Sequence, residues 1–338
     1  MNRFSYVRAH DVPGAVREVS AEPAARVIAG GTNLVDLMKY DVERPSKIVD
    51  ITRLPLKEIA DTADGGLSIG ALVTNSQAAY DPRVESRYPL LTSTILAGAT
   101  PQLRNAATMG GNLLQRTRCY YFYDAGTPCN KREPGSGCPA IEGRNRILAI
   151  LGTSEHCIAT HPSDMCVALA ALEARVRVSG PGGERVIPFA DCHRLPGEHP
   201  ERDTNLAPGE IVTSVELPPQ GYAQHHTYLK LRDRLSYAFA LVSVAVGLEM
   251  DGDRIGQARI ALGGVAHKPW RRPDAEELLR GKPADEAAFA AAADLLVEGA
   301  KGYSHNAFKI DLAHRAIVRA LTQAAAGTPQ SQTDKRIR

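Results

Sequence analysis

The sequence predicts an α+β chain, with a small α/β unit at its start and an antiparallel sheet covered by helices at its end. Three observations carry that prediction. A strand, a Gly-Gly break, a helix and a second strand follow one another over 25–51. An alternating apolar pattern runs over 227–262 and is succeeded by two amphipathic helices. Between 117 and 152 all periodicity is lost among Gly, Pro, Cys and basic residues.

Residues 25–29 (ARVIA) read as an apolar strand, Gly30-Gly31 interrupts it, and Leu34, Val35, Leu37 and Met38 mark a helix. A strand at 47–51 (KIVDI) completes an order that favours parallel pairing, and 1–58 forms a first unit. From Gly66 another strand leads into helical stretches at 75–79 and 90–96. The alanine-rich run 164–173 (DMCVALAALE) reads as a helix opened by an Asp164 N-cap. The second unit then spans 59–220, with the aperiodic loop at about 117–158 inserted in it. After Pro218-Pro219, strands at 227–231, 240–250 and 257–262 flank an Asp-Gly-Asp turn, and helices at 285–296 and 308–323 cover one face. This third unit occupies 221–327, and the polar tail 328–338 is expected to be disordered.

At 338 residues, 43% hydrophobic and 23% charged, the chain can bury the cores of two or three domains. Its 40 Lys and Arg against 38 Asp and Glu leave a charge of +2, too weak a field for a nucleic-acid backbone. The longest nearly continuous apolar run, 237–248, is shorter than the ~20 residues that span a bilayer, so no membrane insertion is expected. Residues 1–14 (MNRFSYVRAHDVPG) lack the apolar region of a signal peptide, which suggests the cytoplasm.

The turn 29–34 (AGGTNL) has an echo at 108–113 (TMGGNL). Glycines there permit positive φ and close approach of a ligand, and amides at a helix start attract anions. Two such turns could embrace a pyrophosphate; two ordinary turns are the alternative. Neither GxGxxG nor GxxxxGK[ST] occurs, so any nucleotide is held without a common Rossmann or Walker loop.

Five of six cysteines, Cys119, Cys129, Cys138, Cys157 and Cys166, fall within 48 residues. None forms the close CxxC knuckle usual in structural zinc sites. Four thiolates on one long loop suit an iron-sulfur cubane, with zinc and unligated cysteines as the alternatives. Six basic and three acidic residues between Arg116 and Arg146 give a local +3 that would offset cluster charge. Tyr120 to Tyr123 (YYFY) shield a cluster or simply pack the loop. Cys166, on an apolar helix face, and the isolated Cys192 read as small buried hydrophobes.

Taken together, ARVIAGGTNLVDLMK (25–39), QLRNAATMGGNLLQRT (102–117), ATHPSDMCVALAALEA (159–174) and YLKLRDRLSYAFALVSVAV (228–246) resemble the FAD-binding subunits of the molybdenum hydroxylases, the xanthine dehydrogenase and carbon monoxide dehydrogenase family. The cysteine-bearing insertion, RCYYFYDAGTPCNKREPGSGCPAIEG, is similar to that of the periplasmic aldehyde oxidoreductase type and of 4-hydroxybenzoyl-CoA reductases. The resemblance implies a PCMH-type FAD-binding fold and no catalytic residue in this chain. It implies that Val27, Ile28, Ala29, Gly30, Gly31, Thr32, Asn33, Leu34, Thr108, Gly111, Asn112, Thr117, Asp164 and Lys230 line FAD. It also implies that Cys119, Cys129, Cys138 and Cys157 hold a 4Fe-4S cluster. Partners would be a molybdenum-cofactor subunit that oxidises an aldehyde and a 2Fe-2S subunit, with an external electron acceptor and co-export to the periplasm. Lys230 would put positive charge near the flavin; an exposed strand lysine is the plain alternative. Two positions depart from the family, His161 where a small residue is usual and Tyr237 where an acid is. The rival expectations are a flavin subunit of a 4-hydroxybenzoyl-CoA reductase-like or xanthine dehydrogenase-like complex and, in another class, a zinc-stabilised binding module.

Overall fold

The computed structural model describes residues 1–334. In the first unit β1 (Ser5–Arg8), α1 (Val12–Ser20), β2 (Ala25–Ile28), α2 (Leu34–Lys39) and β3 (Lys47–Asp50) follow in turn. The strands pair in parallel in the order β1-β3-β2. Asp11 opens α1 by accepting the Gly14 amide at 2.6 Å, and the helix packs Ala15 and Val16 with Val49 and Ile51.

β4 (Ile59–Asp61) and β5 (Leu67–Gly70) lead into short helices α3 (Asn75–Ala79), α4 (Pro82–Arg87), α5 (Pro89–Ala97), α6 (Pro101–Ala106) and α7 (Met109–Leu113). Thr74, Asp81, Thr100 and Thr108 each accept an amide of the helix they precede, so local chemistry fixes every start but that of α5. After α8 (Tyr120–Tyr123) no helix or strand forms until α9 (Asp164–Ala171), as the loss of periodicity predicts. The cap of α9 is Ser163, whose Oγ accepts the Cys166 amide at 3.0 Å; the expected Asp164 cap is instead the first helical residue, free to face inward.

β6 (Arg175–Gly180), β7 (Gly183–Pro188), α10 (Phe189–Cys192) and β8 (Ile211–Leu217) complete an antiparallel sheet ordered β4-β5-β8-β6-β7. The β6-β7 hairpin was not among the expectations. Its outward Arg175 and Arg177 dilute the apolar signal, although the Arg-Val-Arg-Val alternation and the Gly-Pro-Gly-Gly turn specify it.

In the third unit β9 (His226–Leu231), β10 (Val242–Asp251) and β11 (Arg254–Gly263) pair in the order β11-β10-β9. They are followed by α11 (Pro273–Leu279), α12 (Glu286–Val297) and α13 (Phe308–Ala325). Val244 and Val246 face α12 and α13, while Ala245 on the other face belongs to the core around α9. Burial on both faces explains the almost unbroken apolar run of β10. Beyond α13, part of the tail expected to be disordered is bonded to β9. The Gln330 amide donates to Thr227 Oγ1 at 2.9 Å and Gln332 Nε2 to the Tyr228 carbonyl at 3.2 Å. Residues 335–338 of that tail lie outside the described residues.

Candidate functional site

Val27 to Leu34 line a cleft with Ile51 beside them and with Ala71, Leu72, Thr108, Gly110, Gly111 and Ile211. The backbone N–H groups of Gly30, Gly31, Thr32 and Asn33 donate to no acceptor among the described residues. Asn33 Oδ1 accepts the Arg116 amide at 3.0 Å, while its buried Nδ2 has no partner. Donors left without acceptors on one turn suit an oxygen-rich anionic ligand. α2 and α7 are under two turns long, so these amides, and not a helix dipole, supply the attraction.

The glycines of the turns have separate reasons. A Cβ on Gly30 would lie 1.8 Å from the Ala106 carbonyl oxygen, so packing of the chain itself requires glycine. Gly31 needs its φ of +72°. Gly111 needs no positive φ, and a Cβ there would meet a single neighbour, Thr108 Oγ1 at 3.0 Å, which would have to give slightly.

Asp164 lines a second cavity with Arg118, His161, Ser163, Phe239 and Ser243. Alternation along β9 turns Tyr228 and Lys230 toward α9 and α5. Lys230 Nζ donates to Asp164 Oδ2 at 2.8 Å and to the Ala97 carbonyl at 3.2 Å, and the Tyr228 hydroxyl donates to Asp164 Oδ1 at 2.5 Å. Burial first, and then the charge of Asp164, push the Tyr228 hydroxyl far above its ordinary range, so it remains a donor. Ser163 Oγ donates to Asn112 Oδ1 at 2.7 Å and so ties this cavity to the turn that carries Thr108 and Gly111.

Cys119, Cys129, Cys138 and Cys157 line one further cavity, together with Thr117, Phe122 and Lys131. Among the described residues no three of these Sγ atoms lie within 4.8 Å of one another. Tetrahedral zinc, with bonds near ~2.3 Å, needs sulfurs roughly 3.8 Å apart. Burial pushes the Cys119 thiol up to about 12 and Cys157 up to about 11, and it also raises Cys138. Lys131, 2% exposed, opposes that rise at Cys157. Its Nζ donates to Asp203 Oδ1 and to the Pro200 carbonyl, each at 2.6 Å. Arg116 bonds the other oxygen of Asp203 at 2.8 Å and Glu43 at 2.5 Å.

His161, Cys166 and His193 bring ligand-capable atoms within 4.8 Å of one another. The Ser163 amide donates to His161 Nδ1 at 3.4 Å, and His161 Nε2 is buried without a partner. Burial lowers both imidazoles and raises the Cys166 thiol, so the group is a neutral core cluster.

Residues 2–220 match the family described as FAD binding domain in molybdopterin dehydrogenase, and 226–324 match the CO dehydrogenase flavoprotein C-terminal domain. The chain is 48% identical over 328 residues to the aldehyde oxidoreductase FAD-binding subunit PaoB of Escherichia coli strain K12, covering 96% of this chain and 99% of that one. It belongs to the FAD-binding subunits of the molybdenum hydroxylase family. It is also 29% identical over 280 residues to the glyceraldehyde dehydrogenase medium chain of Sulfolobus acidocaldarius, 82% of each chain. Among solved structures, quinoline 2-oxidoreductase from Pseudomonas putida 86 superposes with a TM-score of 0.74 at 28% identity, covering 97% of this chain and 98% of that one.

This FAD-binding subunit is thus part of an oxidoreductase and has the mixed α and β architecture of its family. No helix among its described residues is long and apolar enough to cross a membrane. Its cleft gathers Val27 to Leu34, Thr108 and Gly111. Asp164 stands in the adjoining cavity, and Asn112 joins the two through Ser163. Two of the expected flavin residues stand apart from the cleft walls. Thr117 lies beside the thiols, where its Oγ1 accepts the Cys119 amide at 3.3 Å. Lys230 is neither exposed nor on the wall of either cavity, because Asp164 and the Ala97 carbonyl draw it into the core. Sequence reasoning missed Asp203 and the individual roles of Arg116 and Lys131. The basic excess of the loop was the available signal, and it did not name the partner.

Proposed function

We propose that this subunit carries electrons and leaves substrate chemistry to its partners. The turns 29–34 and 108–113 would hold the FAD pyrophosphate and Asp164 would meet its hydroxyl groups; Cys119, Cys129, Cys138 and Cys157 would hold a 4Fe-4S cluster. A molybdenum-cofactor subunit oxidises an aldehyde, and a 2Fe-2S subunit relays the electrons to this chain and on to an external acceptor. Bound FAD exchanges one or two electrons and so joins single-electron clusters to a two-electron acceptor. The chain's own share is to bind and orient: Gly30 to Asn33 offer amides and Asn33 Nδ2 a further donor, while Asp164 keeps lone pairs for hydroxyl groups. We assign the cofactors to units at 1–58 and 59–220, with 221–327 closing over them through β9. Co-export with a signal-bearing partner would bring the assembly to the periplasm.

The observation that carries the FAD reading is the run of four amides without acceptors in a cleft. What favours a cluster over zinc is four thiols around one cavity, three of them buried, no three of which are grouped as closely as a single ion needs. Metal, acid-labile sulfide and flavin analysis of anaerobically purified protein is the test. Iron and sulfide in equal amounts with one flavin per chain are expected; zinc without sulfide overturns the cluster.

Gly111→Val is expected to lower flavin occupancy about tenfold, roughly 1.4 kcal/mol, because its side chain occupies the cleft at a position that needs no positive φ. Bound FAD per chain, measured by absorbance after gel filtration, checks this. Gly31→Val is less informative, since a φ of +72° strains any side chain there. Cys192→Ser should retain wild-type iron and flavin. That thiol is fully buried in α10, pushed by burial up to about 12, and lines neither the thiol cavity nor the cleft.

A further inference from the structure

One buried charge on the wall of the thiol cavity has no role in the cofactor assignments above. Lys131 sits two residues after Cys129 and is 2% exposed, on the same cavity as all four thiols. A lysine that merely tied the loop down would keep its ammonium in water, where solvation is strong. Here the ammonium is taken out of water and held from behind by Asp203 and the Pro200 carbonyl, both at 2.6 Å. Asp203 in turn is fixed by Arg116 at 2.8 Å, and the Arg116 amide donates to Asn33 on the flavin-side turn at 3.0 Å. His267 Nε2 lies 3.6 Å from Asp203 on a ring that burial keeps neutral, so it adds no competing charge.

We propose that Lys131 is the positioning residue that sets the reduction potential of the group held by the four cysteines, with Asp203 as its opposing charge. This rests on the cluster reading above. Each electron accepted by a tetrathiolate cluster adds one negative charge, and no bond forms or breaks. A fixed ammonium beside it stabilises the reduced state, and Coulomb interaction in a water-poor cavity is stronger than at the surface. Asp203 limits that stabilisation. Because it is shared with Arg116, a single carboxylate braces both the ammonium and the turn proposed for flavin.

The test is an EPR-monitored redox titration of the native protein, purified anaerobically with its bound partners, alongside Lys131→Met, Lys131→Arg and Asp203→Asn. Iron content is measured on each. A lower midpoint in Lys131→Met, a wild-type midpoint in Lys131→Arg and a higher midpoint in Asp203→Asn are expected. Opposite signs from the two partners of one ion pair are not produced by loosened packing. Should Lys131→Met fail to assemble, Asp203→Asn and Lys131→Arg decide the matter by the same signs. Iron-replete variants that keep the wild-type midpoint, or that both shift the same way, overturn the role of Lys131 while leaving the cluster in place. A wild-type complex that shows only 2Fe-2S signals, with no iron and sulfide beyond what those clusters carry, overturns the underlying reading instead.

Discussion

Cys129→Ala should yield a flavoprotein whose iron content has fallen by at least about tenfold, a loss of ~1.4 kcal/mol or more in cluster binding. Cys129 lies on a segment with no helix or strand from 124 to 163, so no neighbouring element supplies a replacement thiol. The two remaining cysteines do not help: Cys166 and Cys192 are buried in α9 and α10, outside the cavity wall. Three thiolates and a water hold a cubane poorly. The same variant also separates the two cofactors, because the acceptor-free amides of Gly30 to Asn33 belong to a different cavity. Iron and flavin assays on one preparation check both statements, and simultaneous loss of flavin would show that the segment also supports the cleft.

The second large effect is expected at Asp164→Ala. Lys230 has a side chain 4% exposed and Asp164 one 9% exposed, so removing the carboxylate strands a buried ammonium and leaves the Tyr228 hydroxyl without its acceptor. Breaking a buried pair from one side costs about 3–5 kcal/mol. Denaturant unfolding of flavin-free protein measures the loss apart from any effect on cofactor binding. Adding Lys230→Met to Asp164→Leu should recover most of it, because the charge and the cavity that received it are removed together. A double variant no more stable than Asp164→Ala would mean that the pair is not the source of the effect.

What was legible in the sequence is what local chemistry writes. β2 and β3, the β10-β11 hairpin around Gly252, and α12 behind its Asp285 cap lie within a few residues of where period and cap residues put them. The glycine turns were legible as turns, and the structure separates their reasons into packing at Gly30, positive φ at Gly31 and the close approach of Thr108 Oγ1 at Gly111. The site's ion pairs were not legible. Lys131 and Asp203 are 72 residues apart, Arg116 and Asp203 87, and Asp164 and Lys230 66. No periodicity links such positions; only the crossing of separate elements brings them together. The place of Thr117 beside the thiols was not legible for the same reason, since its neighbours are chosen by the path of the loop after α7.

The buried lysine on β9 also acts as a proofreader of strand alignment. Leu229 and Leu231 lie among the helices α12 and α13, with Tyr228 and Lys230 on the reverse side. A slip by a single residue would carry the ammonium into that greasy layer and leave the carboxylate facing a leucine. Misaligned β9 is therefore penalised electrostatically as well as sterically, which favours the observed docking of the C-terminal sheet.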